Sequence, residues 1–335
     1  MILLDPPPEA VAADGRPALG VYRGAPLRIM LQRAATPFQL AWRRKFWQYV
    51  AVVSPEVIAA VAVVDLGYAG LAFALAWDRT RKIWFEREAL VPLARGLRAT
   101  GEPAESTFAY SGRAGRIAMA NTSDERTIEV RFTTPAGLLE MDLELAPPGE
   151  GTDPLTAIGA LAPGRFNVTV KEAGVALGGR LKLGDREIEL EPETATALVD
   201  WTQGLPPTDV TWNWAMAAGR AADRAVGFNL CVGFTDPEHS ENGIWLDGHV
   251  HRVGPVQFTI PPDPTAPWRI RGADGALDLE FRPEAQRQAN TNLVVAISRY
   301  RQPVGRYTGT LPDADGKPVA LEDVSGVAEE HMARW

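Results

Sequence analysis

Apolar residues are densest from Lys45 to Trp77, in the run KFWQYVAVVSPEVIAAVAVVDLGYAGLAFALAW. A membrane-spanning helix needs about 20 apolar residues, so length alone would allow one. The punctuation inside the run argues otherwise. Ser54-Pro55-Glu56 interrupts it, Asp65 lies within the remainder, and Val, Tyr, Phe and Trp supply much of the apolar content. Proline removes a backbone donor, and a carboxylate is costly in hydrocarbon. Short apolar runs separated by turn signals predict strands, here Phe46–Val53, Val57–Asp65 and Gly70–Asp78, joined by SPE and LGY turns. Strands apolar on both faces are expected to pack on a core outside and line something apolar inside.

Period-two alternation recurs along the chain. Thr127–Thr133 and Leu138–Leu145 alternate around Pro135-Ala136-Gly137, and Trp268–Arg271 and Ala276–Phe281 do so around Ala273-Asp274-Gly275. Both read as hairpins, and the likeness of EVRFTTPAGLLEMDLEL to WRIRGADGALDLEF suggests an internal duplication. Ala215–Ala225 is Ala-rich enough for a helix, but Gly219 and strand-like neighbours weigh against one. Residues 1–35 read as irregular, and Gly96–Ser106 and Ala146–Pro154 as loops. The second loop divides the chain into an N-terminal β-domain with an irregular arm, 1–150, and a C-terminal β-domain, 151–335. Many short strands with few helices predict an all-β antiparallel sandwich or barrel. A lipocalin-like barrel would hold one small apolar ligand inside.

Composition narrows this picture. At 335 residues the chain can form two domains or one large all-β domain. Its 10 Trp fit either core packing or an aromatic-lined cavity. Cys231 is the one cysteine, so no intrachain disulfide is possible, which fits a reducing compartment. The start, MILLDPPPEA, lacks the basic and apolar regions of a signal peptide, and a cytoplasmic protein is expected. A net charge of −8 argues against nucleic-acid binding. Residues 15–55, however, carry seven basic residues and no acidic one, with Trp42, Phe46 and Trp47 flanking Arg43, Arg44 and Lys45. That mixture suits peripheral contact with an anionic membrane at its inner face, or an arm crossing an acidic body.

The chain contains no GxSxG, P-loop, GxGxxG, HExxH or CxxC signature, so no cofactor is expected. His249 and His251 would share one strand face, but only His239 and Glu241 lie near them in sequence, and no metal site is expected. In TWNWA, Trp212 and Trp214 would share one face of a strand, with Asn213 on the other. Paired indoles line a cavity or stabilise a developing cation, or else form core. Glu241 and Asn242 precede the apolar strand Gly243–Leu246, which carries Trp245. A carboxylic acid at an apolar barrel mouth would have its pKa raised and could donate a proton. Asp65 has the same potential, unless it caps the LGY turn, and Tyr68 could supply a phenol.

Several stretches together resemble a bacterial family known as domain of unknown function 2804. They are Lys45–Glu56, Val64–Phe73, Asp200-Trp201-Thr202 with Gly204, Thr211–Ala215, Glu241-Asn242 with Trp245 and Asp247-Gly248, Gly326–His331, and Arg334-Trp335. The resemblance runs from about residue 15 to the C-terminus. The family is similar, more distantly, to a superfamily containing tocopherol cyclase, carotenoid hydratase and the yeast survival-factor proteins. That likeness implies two lipocalin-like β-domains packed together, with apolar or isoprenoid-like ligands. The expected function is a cofactor-independent enzyme that hydrates, cyclises or isomerises a lipophilic isoprenoid or polyene by acid-initiated chemistry. Glu241, Asp65 and Tyr68 would act as catalytic groups, and Trp47, Trp212, Asn213, Trp214, Asn242 and Trp245 would contact the ligand. The alternatives are a lipid carrier without catalysis and an interaction protein whose barrels are filled by their own side chains.

Overall fold

The computed structural model describes residues 3–293 and 296–335. Its first sheet has 14 antiparallel strands. They are β1 (Gly20–Arg23), β2 (Lys45–Val53), β3 (Val57–Asp65), β4 (Ala69–Asp78), β5 (Ile83–Pro92), β6 (Leu97–Gly101), β7 (Ser106–Gly112), β8 (Gly115–Asn121), β9 (Arg126–Thr134), β10 (Gly137–Leu145), β11 (Leu155–Ala162), β12 (Arg165–Leu183), β13 (Arg186–Leu190) and β14 (Thr196–Gly204). The second sheet has nine strands. They are β15 (Asp209–Ala221), β16 (Arg224–Val232), β17 (Gly243–Leu246), β18 (His249–Arg252), β19 (Val256–Thr259), β20 (Trp268–Gly272), β21 (Asp278–Leu293), β22 (Ala296–Pro312) and β23 (Pro318–Arg334). A short helix, α1 (Pro37–Arg43), precedes β2.

The expected strands Phe46–Val53, Val57–Asp65 and Gly70–Asp78 are β2, β3 and β4, and both expected hairpins form as β9–β10 and β20–β21. Ala215–Ala225 is extended and belongs to β15 and the turn into β16. Gly96–Ser106 is less of a loop than expected, because Leu97–Gly101 pairs with β7 and only the turn that follows is irregular. Sheet membership changes between Gly204 and Asp209 rather than at residue 150. The loop after β10 returns the chain to the same sheet through β11, and the 19-residue β12 then joins β10, β11, β13 and β14.

The first sheet runs β5-β4-β3-β2-β14-β12-β10-β9-β8-β7-β6 and curls until β3 meets β6 and β5 meets β9, a nearly closed barrel. Its interior is filled. Phe46, Phe108, Phe132 and Trp201 are buried there, with Phe46 5.1 Å from Trp201 and 4.7 Å from Phe108 between ring centres. The second sheet, β18-β17-β16-β15-β23-β22-β21-β20-β19, forms a half-barrel around Phe228, Trp268, Phe281 and Tyr307. A third apolar layer lies between the two sheets and includes Tyr49, Ala62, Phe73, Trp214 and Met216.

Alternation along β2 explains this arrangement. Phe46, Val50 and Val52 enter the barrel, while Tyr49, Ala51 and Val53 face the second sheet. The doubly apolar strands therefore separate a solid core from an inter-sheet layer. For the barrel itself, expectation and structure differ: the core is inside the barrel and the open apolar space is outside it.

Candidate functional site

A cavity of about 200 Å³ opens in the inter-sheet layer. Strands β2 to β5, β12 and β14 supply one wall, and β15, β16 and β21 to β23 the other. Trp47 and Tyr49 enter from β2, Leu71 and Phe73 from β4, and Trp212 and Trp214 from β15. Asn213 points to the opposite face of β15 from the two indoles, as period two requires.

Each indole nitrogen has a partner, so the rings are held in place. Trp47 Nε1 donates to Asp200 Oδ2 at 3.3 Å, and Trp212 Nε1 donates to Glu329 Oε1 at 2.8 Å. Trp214 Nε1 donates to Asn229 Oδ1 at 2.7 Å. Phe234 sits between the first two, 5.5 Å from Trp47 and 5.3 Å from Trp212 by ring centres. Aromatic pairs in such tilted arrangements reinforce each other beyond simple burial.

The charged centre of the wall unites residues far apart in sequence. Lys171 on β12 and Asp200 on β14 are cross-strand partners, so their side chains share a face, and Lys171 Nζ lies 2.7 Å from Asp200 Oδ1. Glu241 comes from the loop before β17 and brings Oε1 within 3.4 Å of the same ammonium. Burial pushes the Glu241 carboxyl pKa up; Lys171 opposes that shift and Asp200 adds to it. Burial also works against the charge on Lys171, but Asp200 and Glu241 outweigh it and raise the lysine pKa. Glu241 Oε2 and the Tyr49 hydroxyl have no hydrogen-bond partner in the protein. Burial, followed by Glu329 and Asp200, holds the Tyr49 phenol well above its ordinary pKa.

Two further groups complete the polar lining. Arg287 on β21 crosses to β5, pairing with Glu86 at 3.0 Å and with Glu88, and stacks over the Phe73 and Tyr300 rings at 4.1 and 4.7 Å. His331 Nε2 lies 2.9 Å from Ser298 Oγ, and Nδ1 lies 3.4 Å from Glu329 Oε1.

Of the residues singled out from sequence, Glu241, Tyr68, Trp47, Trp212 and Trp214 line this cavity. Asp65 does not. It accepts a bond from Gly67 N at 2.8 Å, capping the LGY turn, and pairs with Arg44 at 2.6 Å. Asn242 is buried as a brace, accepting from Cys231 N at 2.7 Å and donating to Gly254 O at 3.2 Å. Trp245 donates to Asp153 O at 2.7 Å and lines a separate cleft at the other end of the same strands, beside Val53 and Ala218. The basic cluster also changes character. Lys45 is buried, donating to Trp42 O and Leu66 O at 3.2 and 2.9 Å, and burial lowers its pKa to about 8; only Arg43 of the three is fully displayed. Sequence reasoning missed Lys171, Arg287 and Tyr49 as site residues. A lysine between the apolar residues Val168, Val170 and Ala173 in FNVTVKEAGVAL was the available signal for the first.

His249 and His251 do not converge on a ligand set: His249 lies 3.4 Å from Asp153, and His251 bonds to Pro312 O at 3.0 Å. Among the described residues, the group that could offer three ligands is Asp236, Glu238 and His239, where Asp236 caps the short turn by accepting both following N–H groups. It lies outside the aromatic cavity. Among the described residues no helix is long and apolar enough to cross a membrane.

A nearly closed barrel and a half-barrel enclosing a polar-centred aromatic cavity define a lipocalin-like two-sheet protein. Within that class, the chain belongs to the family described as Domain of unknown function (DUF2804), which it matches over residues 4–335. Solved structures of similar fold include an AttH-like protein from Nitrosomonas europaea, with 13% identity, a TM-score of 0.52, and 86% of this chain and 92% of that one covered. CghA in complex with Sch210972 shows 12% identity and a TM-score of 0.51 over 99% and 97% of the chains. Kievitone hydratase from Nectria haematococca shows 11% identity and a TM-score of 0.46 over 85% and 88%. No curated protein sequence matches the chain.

Proposed function

We propose that the inter-sheet cavity binds a lipophilic molecule and that Glu241 delivers a proton to it, in a hydration, cyclisation or isomerisation. The observation that carries this reading is the Glu241 carboxyl itself: it is fully buried, with raised proton affinity and one oxygen unpartnered in the wall of an indole-lined cavity. A general acid works best when its pKa lies near the working pH, and burial moves a carboxyl in that direction. The CghA structure of similar fold is, by its description, a structure with Sch210972.

In the proposed step an alkene carbon takes the proton from Glu241, its π pair forming the new C–H bond. The cation left on the neighbouring carbon lies against the faces of Trp47, Trp212 and Trp214, whose ring quadrupoles stabilise positive charge. Water or an internal hydroxyl captures the cation and gives up a proton, which restores Glu241. Loss of a different C–H proton gives isomerisation instead. Lys171 and Asp200, which line the cavity beside it, position Glu241. Carriage without chemistry has one observation in its favour: Lys171, Arg287 and Arg334 are each already paired with carboxylates, which leaves the walls chemically quiet.

The test is native mass spectrometry of the purified protein with organic extraction, followed by turnover of the extracted molecule. Glu241→Gln is expected to keep binding and lower turnover by about 10²- to 10⁴-fold. Unchanged turnover removes Glu241 from the reaction, and binding without turnover in the unmodified protein selects the carrier.

A further inference from the structure

Most short surface helices hide their apolar face, but α1 displays its own. It is well formed, because Thr36 and Gln39 cap each other reciprocally and Pro37 occupies the first turn. Only Leu40 packs against the protein core, while Phe38 is 74% exposed and Trp42 52% exposed. Trp42 stacks on Tyr68 at 6.1 Å between ring centres, with Phe38 6.4 Å beyond it. The helix sits tightly on the β3–β4 turn: a Cβ on Gly67, which has φ +85°, would lie 2.2 Å from Ala41 O.

A second element brings another apolar side chain to the same place. The β5–β6 turn holds Leu93 and Ala94 at φ 56° and 49°, a left-handed pair unusual outside glycine. Leu93 N donates to Tyr68 O at 2.9 Å, and its side chain is 64% exposed. Phe38, Trp42 and Leu93 thus converge on Tyr68, which with Leu66 and Leu90 also lines the cavity. Tyr68 therefore joins the exposed Trp42 ring to the cavity lining. Arg43 and Arg95 are exposed beside it, and Arg165 is near enough to Arg43 for their charges to interact. Asp65, on the same turn, is neutralised by Arg44. The whole chain carries −8, so this local basic rim is what would make an anionic surface attractive rather than repulsive.

We infer that Phe38, Trp42 and Leu93 form a lip that inserts into the interface of an anionic bilayer, with Arg43 and Arg95 on the lipid headgroups. A lipophilic molecule then passes between membrane and cavity beside Tyr68. Aromatic and leucine side chains ringed by arginine are the composition such insertion needs, and docking weakens as salt screens the charges. This deepens the proposed function and rests on the cavity's occupant being lipophilic.

The test is flotation of the full chain with phosphatidylcholine vesicles containing about one-third phosphatidylglycerol, against phosphatidylcholine alone. Wild type is expected to float with the anionic vesicles, and Phe38→Ser/Trp42→Ser to bind about tenfold less or weaker. Leu93→Ser, on the other element, should show a smaller loss, and Arg43→Gln/Arg95→Gln a loss that disappears at high salt. Equal flotation of wild type and the Phe38/Trp42 variant, or no flotation of wild type, overturns the lip. A parallel titration with 1-anilinonaphthalene-8-sulfonate, without vesicles, reads the cavity separately. Wild type and lip variants should bind the dye alike, and failure of wild type to bind it counts against the cavity reading alone.

Discussion

The barrel interior and the inter-sheet layer are built from opposite faces of the same strands, yet one is solid and the other holds a cavity. Inside the barrel, Phe46 packs against Phe108 and Trp201, and Phe132 stacks on Tyr110, so the interior is filled by its own rings. Between the sheets, Trp47 and Trp212 are tied by their N–H groups to Asp200 and Glu329, which fixes the rings where they are. A ring anchored to a carboxylate cannot collapse into neighbouring space, whereas the untethered rings of the barrel pack on one another. The barrel interior buries polar partners too, Gln48 with Asn121 and Arg126 with Glu172, so what the contrast teaches is that tethered rings border this cavity, not that polarity alone keeps it open.

The largest effect expected from breaking the contrast is in the barrel. Phe132→Ala should cost about 3–5 kcal/mol, the range for deleting a fully buried aromatic, while the half-buried Trp212→Ala should cost clearly less and abolish ligand binding. Urea unfolding of both variants measures this, and equal losses would make the cavity wall ordinary core. The same substitution on the two faces of β3 sharpens the point. Ala59 faces the barrel and Ala62 the cavity. Ala59→Phe should overpack and cost about 1–3 kcal/mol, and Ala62→Phe should cost less while filling the site. If Ala62→Phe leaves binding of the extracted molecule intact, the site lies elsewhere.

The smallest expected effects are in pH dependence. Glu241 has a folded pKa above the ordinary 4.5, so the native state holds its proton more tightly than the unfolded chain. Its contribution is present below pH 4.5 and is lost as pH rises through the folded value, and Glu241→Gln should flatten that part of the stability profile. Lys45 has the opposite sign. Its pKa falls from 10.5 to about 8, so stability should rise between those values and be lost as pH falls through about 8. Denaturant midpoints across pH read both, and a profile unchanged by Glu241→Gln would mean the carboxyl is not perturbed.

Much of the fold was legible because local rules are strong where they apply. The SPE and LGY turns punctuate β2, β3 and β4 within a residue or so of where they end, since turn residues and period-two alternation act over a few positions. TWNWA was legible for the same reason, as strand geometry alone sends Trp212 and Trp214 one way and Asn213 the other. Asp65 was ambiguous between acid and turn cap, and the Gly67 N–H and Arg44 decided it. Trp245 and Asn242 lie beside Glu241 in sequence, but a tight turn and a strand send them to another cleft and to a backbone brace.

The sequence by itself determined that this chain is all-β, where its most apolar strands lie, and that both faces of those strands are buried. It could not tell which face meets a filled core and which meets a cavity, because both are written in the same apolar alphabet. That choice, and the meeting of Lys171, Asp200 and Glu241, belong to tertiary structure. Register between strands remote in sequence decides which side chains share a face, and the packing of one sheet on the other decides which are taken out of water together.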